Sequence, residues 1–161
     1  MKNLLVVVAA AALSAGVLFA LPANAQGVSP HTVLISHHVS GCDPTGHCFE
    51  STVSVETLLG GFIRGVGSYD CYGANHVIQP CHDVFGTFQL FRDGDFIGSH
   101  DVGCGTSGEP VCPNGVFHYD TGSFIDPSGS QSWHSFLDVQ ATTCCYPQGI
   151  SQTNSSGLVN H

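Results

Sequence analysis

The sequence predicts an all-β protein, a disulfide-stabilised antiparallel β-sandwich or small barrel of about seven strands. Short runs of alternating apolar and polar residues are separated by Gly, Pro, Asn and Asp, a pattern typical of strands and turns. No internal repeat and no long helical period interrupts this pattern. Eight cysteines follow an export signal, and such cysteines usually form disulfides in an oxidising compartment.

Seven segments carry the strand pattern. In the second segment, Val53 and Val55 alternate with polar neighbours, as expected for a strand with one buried face. In the third segment, Gly65 and Gly67 indicate either a bulge or a close approach of backbone. The predicted strands are Thr32–Ile35, Ser51–Leu59, Phe62–Tyr72, Phe85–Arg92, Asp95–Cys104, Gly115–Asp120 and Ser132–Thr143.

The fourth and fifth segments are joined by a strong hairpin signal, Asp93-Gly94. A two-residue turn of this type needs positive φ at both positions, which Asp and Gly tolerate. Opposite charges and apolar residues then face each other across the two strands, which stabilises this register. The predicted pairs are Arg92 with Asp95, Phe91 with Phe96, and Leu90 with Ile97.

The last predicted strand has a clear buried face. Its apolar residues alternate with polar ones, except that Phe136 falls on the polar side. The segment that follows, "QGISQTNSSGLVNH", shows no apolar periodicity, so we predict a flexible polar tail over residues 148–161. The residues predicted to share the core face are Trp133, Leu137, Val139 and Ala141.

The first 25 residues have the pattern of a secretory signal peptide. Lys2 precedes an apolar run, and Ala23 and Ala25 form the small-residue site that a signal peptidase accepts. We therefore predict residues 1–25 as a cleaved signal peptide and residues 26–147 as a single all-β domain. The predicted location is secreted, either extracellular or periplasmic.

Charge excludes several classes of partner. Cleavage removes Lys2, which leaves Arg64 and Arg92 against twelve carboxylates and a net charge of −10 with neutral histidines. Two cationic side chains cannot neutralise many phosphates. We therefore expect neither nucleic-acid binding nor attachment to a membrane after cleavage. Catalysis through a lysine amine is also excluded. We expect a monomer and predict no cofactor.

The cysteines allow several pairings. Cys42–Cys48, Cys71–Cys81 and Cys104–Cys112 each enclose a short loop with its own turn residues. Pairing all of them locally would leave Cys144 and Cys145 to bond each other, although strand alternation points neighbouring side chains to opposite faces. We therefore expect one local pair to be replaced by two long-range bridges to Cys144 and Cys145.

The stretch "SHHVSGCDPTGHC" raises the question of a metal site. Oxidation of Cys42 and Cys48 would remove both thiols as ligands. His37 and His38 are adjacent, so on a strand they point to opposite faces, although one of them could meet His47 across the loop. We predict no metal site and interpret the three histidines as surface or loop residues. A histidine-based extracellular metal-binding protein is an alternative function.

A second candidate site is Asp120-Thr121-Gly122-Ser123, with His118 two residues upstream. This stretch resembles the active-site loop of pepsin-like and retroviral-type aspartic proteases. The resemblance implies that Asp120 shares a proton with a second carboxylate. The loop occurs once here, so a dimer would be required, and only a short segment follows it. A small secreted hydrolase using Asp120 and His118 is therefore the second alternative function.

The predicted function is non-catalytic binding of an extracellular protein, a glycan or a cell-envelope component. The chain lacks a Gly-x-Ser-x-Gly nucleophile motif and shows no complete catalytic set, so no catalytic residue is assigned. Aromatic side chains are the usual anchors of binding surfaces. The candidate contacts are Tyr69, Tyr72, Tyr119 and Phe136.

Overall fold

The computed structural model describes residues 31–105, 112, 114–143 and 146–161. The predicted signal peptide lies outside these residues, and so do Cys144 and Cys145. The described residues form eleven strands and no helix, which confirms the all-β prediction. The strands are β1 (His31–Cys42), β2 (Cys48–Leu58), β3 (Phe62–Tyr72), β4 (Ile78–Gln79), β5 (Asp83–Arg92), β6 (Asp95–Cys104), β7 (Phe117–Asp120), β8 (Phe124–Ile125), β9 (Ser132–Thr143), β10 (Tyr146–Ser155) and β11 (Val159–Asn160).

Two antiparallel sheets form the predicted sandwich. Sheet A has the strand order β1-β2-β3-β4, and β7 and β8 also pair with β3. Sheet B has the order β10-β9-β5-β6, and β11 also pairs with β9. The sheets pack through contacts of β9 and β10 with β2 and of β5 and β9 with β3. No helix among the described residues is long and apolar enough to cross a membrane.

The Asp93-Gly94 hairpin forms as predicted at its tip. Asp93 and Gly94 have φ values of 52° and 89°, as a two-residue hairpin turn requires. The register shifts after the second pair, so Leu90 lies opposite Gly98 and not opposite Ile97. The first two predicted pairs, Arg92 with Asp95 and Phe91 with Phe96, are confirmed.

The glycines of β3 mark the approach of two aromatic side chains, and not the predicted bulge or close backbone approach. The pairing of β2 with β3 is continuous along both strands. A Cβ atom at Gly67 would overlap the ring of Tyr119, and one at Gly65 would lie 3.1 Å from the ring of Phe88. Because Gly65 and Gly67 have no side chains, these two rings can fill the space between the sheets.

The core contains the predicted face of β9. Trp133, Leu137, Val139 and Ala141 are all buried, and Phe136 lies on the opposite face. Alternation along β9 was therefore sufficient to identify the core face.

The predicted flexible tail is wrong, because residues 148–155 lie in β10 and Val159–Asn160 form β11. Gln152 and Asn154 are buried between the sheets. The Ser51 hydroxyl donates to Gln152, and the Asn154 amide donates to the Ser51 carbonyl over 3.0 Å. The inward face of β10 is thus mostly polar and is matched by hydrogen-bond partners on β2. Apolar periodicity cannot detect a strand of this kind.

All three local disulfides form, so the expected exchange of one local pair is wrong. Cys42 and Cys48 lie directly opposite each other at the end of the β1–β2 hairpin. The Asp43 carboxylate accepts from the backbone N–H groups of Thr45 and His47, so the turn itself brings these two cysteines together. Disulfides of this number are typical of proteins outside the reducing cytoplasm.

Candidate functional site

The predicted histidines do not converge. His37 is exposed on β1, and its Nδ1 lies 2.8 Å from Oδ1 of Asn154 on β10. His38 points outward on β1, with Nε2 3.6 Å from Glu50. His47 lies in the Asp43 turn with Nδ1 2.8 Å from Thr45 Oγ1. His37 and His38 are exposed strand residues and His47 is a turn residue, which agrees with the prediction of surface or loop histidines, and each of the three has a protein partner. The described residues contain no group of three or more side chains placed to hold a metal ion.

Asp120 and His118 point outward from β7 into a depression on the solvent side of sheet A. We call this depression the Arg64 cleft; its volume is about 330 Å³. Arg64 Nη2 and Nε donate to Glu56 Oε2 over 3.1 and 3.3 Å, while Arg64 Nη1 lies 3.9 Å from Asp120 Oδ2. The Glu56 side chain is only 8% exposed. The cleft is lined by His31, Glu56, Arg64, Val66, His118, Tyr119 and Asp120.

The loop that resembles a protease motif acts as a turn. Asp120 Oδ1 accepts from the Gly122 N–H over 2.8 Å, and Gly122 has a φ of 81°. Thr121 Oγ1 accepts from the Gly65 N–H, which ties the loop to β3. A second carboxylate, that of Glu56, lines the same cleft. No hydrogen bond joins these two carboxylates and Arg64 contacts both, so the described residues do not form the proton-sharing pair of an aspartic protease.

The opposite surface of the sandwich brings together residues that are far apart in the chain. We call it the B face: the outward side chains of β5, β6, β9 and β10. Neighbouring strands bring these side chains into cross-strand rows. The rows are Gly103–Phe85–Gln140–Ser151, Asp101–Thr87–Asp138–Thr153, Ser99–Gln89–Phe136–Ser155 and Phe96–Phe91–His134.

A depression of about 300 Å³ lies across the first two rows of the B face. Phe85 is 49% exposed there, because its neighbour on β6 is Gly103, which has no side chain to cover the ring. The side chains of Thr87, Asp138 and Gln140 make no hydrogen bond to any other residue that the structure describes. Polar atoms and an aromatic face are therefore available together to a ligand.

An aromatic group occupies the other end of the B face. The rings of Phe91 and His134 stack with centroids 4.8 Å apart, and Phe96 meets Phe91 edge-on at 6.1 Å. Phe85 and Phe91 lie six residues apart on β5, a separation of roughly 20 Å at the usual rise of a strand. The B face is thus an extended strip with aromatic rings at both ends and polar groups between them.

Of the three tyrosines predicted as binding contacts, only Tyr72 lies at the surface. Tyr69 and Tyr119 are buried in the core, and burial raises the pKa of Tyr69 to about 12. Tyr72 lies on the outer side of sheet A, where its hydroxyl donates to Asp70 Oδ2 over 2.8 Å. This hydrogen bond is the main cause that raises the pKa of Tyr72 to about 12. Phe136 does lie on the B face, and its exceptional place in the pattern of β9 was the sequence signal for that surface.

The stability of the protein is expected to fall in mild acid partly because of His134. Burial lowers the pKa of His134 below its ordinary value of 6.5. The folded state then binds fewer protons than the unfolded state, so the free energy of unfolding decreases as the pH falls through 6.5 towards the lower folded value. Urea unfolding at a series of pH values should show a shallower decrease for His134→Gln than for the wild type. Parallel profiles for the two proteins would contradict this expectation.

Comparison with known proteins identifies no relative from which a function could be transferred: no family model, no curated protein and no solved structure matches this chain.

Proposed function

We propose that this protein is a secreted, non-catalytic binding protein that holds an uncharged glycan on the B face. The observation that carries the proposal is the depression beside Phe85. There an exposed ring lies next to the side chains of Thr87, Asp138 and Gln140, which lack hydrogen-bond partners among the described residues.

The chemistry of this depression suits a sugar. A pyranose ring has an apolar C–H face, which packs against an aromatic ring, and hydroxyls that both donate and accept. The Asp138 carboxylate accepts hydrogen bonds, while the Gln140 amide and the Thr87 hydroxyl do both. Hydroxyls of a bound sugar would therefore find partners in this depression, which matters because a polar group buried without one is costly.

Charge restricts the type of glycan. Among the residues that the structure describes, the lining of the depression contains one carboxylate and no cationic side chain. Both arginines of the mature chain are engaged elsewhere: Arg64 contacts Glu56, and Arg92 lies over the ring of Trp133. Uronic acids and sulfated or phosphorylated sugars would meet uncompensated negative charge, so an uncharged glycan is favoured.

Extended glycan chains match the shape of the surface. The strip runs along β5 from Phe85 past Thr87 and Gln89 to Phe91, with outward side chains at every second residue. A polymer lying along this strip would contact aromatic rings at both ends and polar groups in the middle. The three disulfides support a place of action outside the cytoplasm, where such glycans occur.

Affinity electrophoresis of the oxidised protein in gels containing soluble polysaccharides tests the proposal. The panel would include β-glucan, xylan and mannan as uncharged polymers and alginate as an acidic one. At least one uncharged polymer should retard the protein, and alginate should not. Phe85→Ala and Asp138→Ala should each weaken binding by about tenfold, the effect of losing one good stacking or charge-assisted contact.

The matched control is Phe62→Ala, which removes another exposed ring on the opposite sheet. This variant should be retarded like the wild type. Retardation only by alginate would overturn the proposal. Equal retardation of the wild type and the three variants would overturn it as well.

A further inference from the structure

In the Arg64 cleft, Arg64 Nη1 and Asp120 Oδ2 make no hydrogen bond to any residue that the structure describes. The side chains of Arg64 and Glu56 are 28% and 8% exposed, so their ion pair is partly buried. Removing charges from water offsets much of the attraction in such a pair, yet one of the two arginines of the chain is used there. Two donors of Arg64 share the single Oε2 atom of Glu56. This arrangement orients the guanidinium and leaves Nη1 directed towards the cleft.

The gap between Arg64 and Asp120 is the key feature. The distance of 3.9 Å from Nη1 to Asp120 Oδ2 is too long for a hydrogen bond. Asp120 Oδ1 is already held by the Gly122 N–H, so the carboxylate is fixed in orientation while Oδ2 stays available. A donor and an acceptor therefore lie side by side at the surface of the cleft, both held in place by the protein.

Two adjacent hydroxyl groups of one ligand fit this arrangement. One hydroxyl accepts from Arg64 Nη1, and its neighbour donates to Asp120 Oδ2. The carboxylates of Glu56 and Asp120 disfavour phosphate or carboxylate ligands, whereas the guanidinium disfavours cations. The ring of His118 points outward beside Asp120 and makes no hydrogen bond to any described residue, so it is available as a further contact.

We propose that the Arg64 cleft is a second ligand site, which binds a pair of adjacent hydroxyls of an uncharged sugar. This inference goes beyond the proposed B-face function and does not depend on it, because different residues on the other sheet carry it. If both sites hold, the two faces of one molecule can bind two chains of the same polysaccharide. Only this cross-linking corollary rests on the proposed function.

The test is an NMR titration of the isotope-labelled mature protein with three methyl glycosides, those of glucose, mannose and galactose. For at least one sugar, the Arg64 Nε–H and Gly122 N–H signals should shift and reach saturation. Asp120→Asn should weaken this binding by about tenfold, because its amide keeps an oxygen for Gly122 but replaces the acceptor facing Arg64 with a donor. The matched control is Asp95→Asn, an exposed carboxylate in the β5–β6 hairpin, which should bind as the wild type does.

The outcomes separate the two sites. Absence of these shifts with all three sugars, or equal affinity of wild type and Asp120→Asn, overturns the second site and leaves the B-face proposal standing. Phe85→Ala should leave the shifts at Arg64 unchanged while it weakens retention by polysaccharide. Loss of the Arg64 shifts in Phe85→Ala would show a single shared site and would also overturn the inference. Where both sites hold, the wild type and Asp95→Asn should precipitate a soluble polysaccharide that they bind, whereas Asp120→Asn and Phe85→Ala should each fail to do so.

Discussion

Truncation of the chain after Pro147 is expected to unfold the protein. The removed residues include Gln152 and Asn154, whose side chains bond to Ser51 inside the sandwich. They also include Ser156, whose hydroxyl accepts from the buried Ser135 N–H over 2.9 Å. Each buried polar group left without a partner costs about 1–3 kcal/mol. Several such losses, added to the exposure of one edge of β9, approach the 5–15 kcal/mol that typically holds a domain together.

Circular dichroism and urea unfolding of the truncated protein measure this effect. We expect loss of the near-ultraviolet signal and of a cooperative transition. The control is Thr153→Ala within the same segment, because Thr153 is exposed and its loss should change the free energy of unfolding very little. A truncated chain with a cooperative transition close to that of the full chain would show that residues 148–161 are dispensable.

Substitution of Gly67 by alanine is expected to be the most destabilising small change in β3. The new methyl group would overlap the ring of Tyr119, which is itself buried. The backbone at Gly67 is paired with β2 on one side and β7 on the other, so it cannot move away easily. Overpacking of this kind costs about 1–3 kcal/mol, and we expect the upper end of that range.

A double-mutant cycle identifies the cause. Tyr119→Leu removes the overlapping ring, so Gly67→Ala should cost much less in the Tyr119→Leu background than in the wild type. Ser68→Ala, the outward-facing neighbour on β3, serves as the control for substitution in this strand. Equal costs of Gly67→Ala in both backgrounds would show that the glycine is needed for a reason other than the Tyr119 ring.

Local chemistry accounts for the features that were predicted correctly. Asp93-Gly94 tolerates the two positive φ values of the hairpin turn within two residues of chain. The burial of Trp133 and Leu137 follows from strand alternation, which operates over a few residues. The Asp43 carboxylate holds the turn between Cys42 and Cys48, whose short-range disulfide forms.

The candidate sites were less predictable, because they are formed across strands that are distant in the chain. Phe85 is exposed only because Gly103 lies beside it on β6, and Gln140 reaches the same depression from β9. Glu56 and Asp120 meet around Arg64 because β2 and β7 flank β3. The apolar pattern within one strand does not indicate which other strands will pair with it.

The sequence by itself determined the all-β class, the tip of the hairpin and the core face of β9, since each depends on the conformational preferences or alternation of adjacent residues. The tertiary structure alone decided that a polar segment becomes β10, because Gln152 and Asn154 are stable inside only when Ser51 and His37 provide hydrogen bonds. It also decided which polar side chains remain without partners on the two outer faces. Burial of a polar group is favourable or costly according to its partner, and the partner is set by the packing of the two sheets.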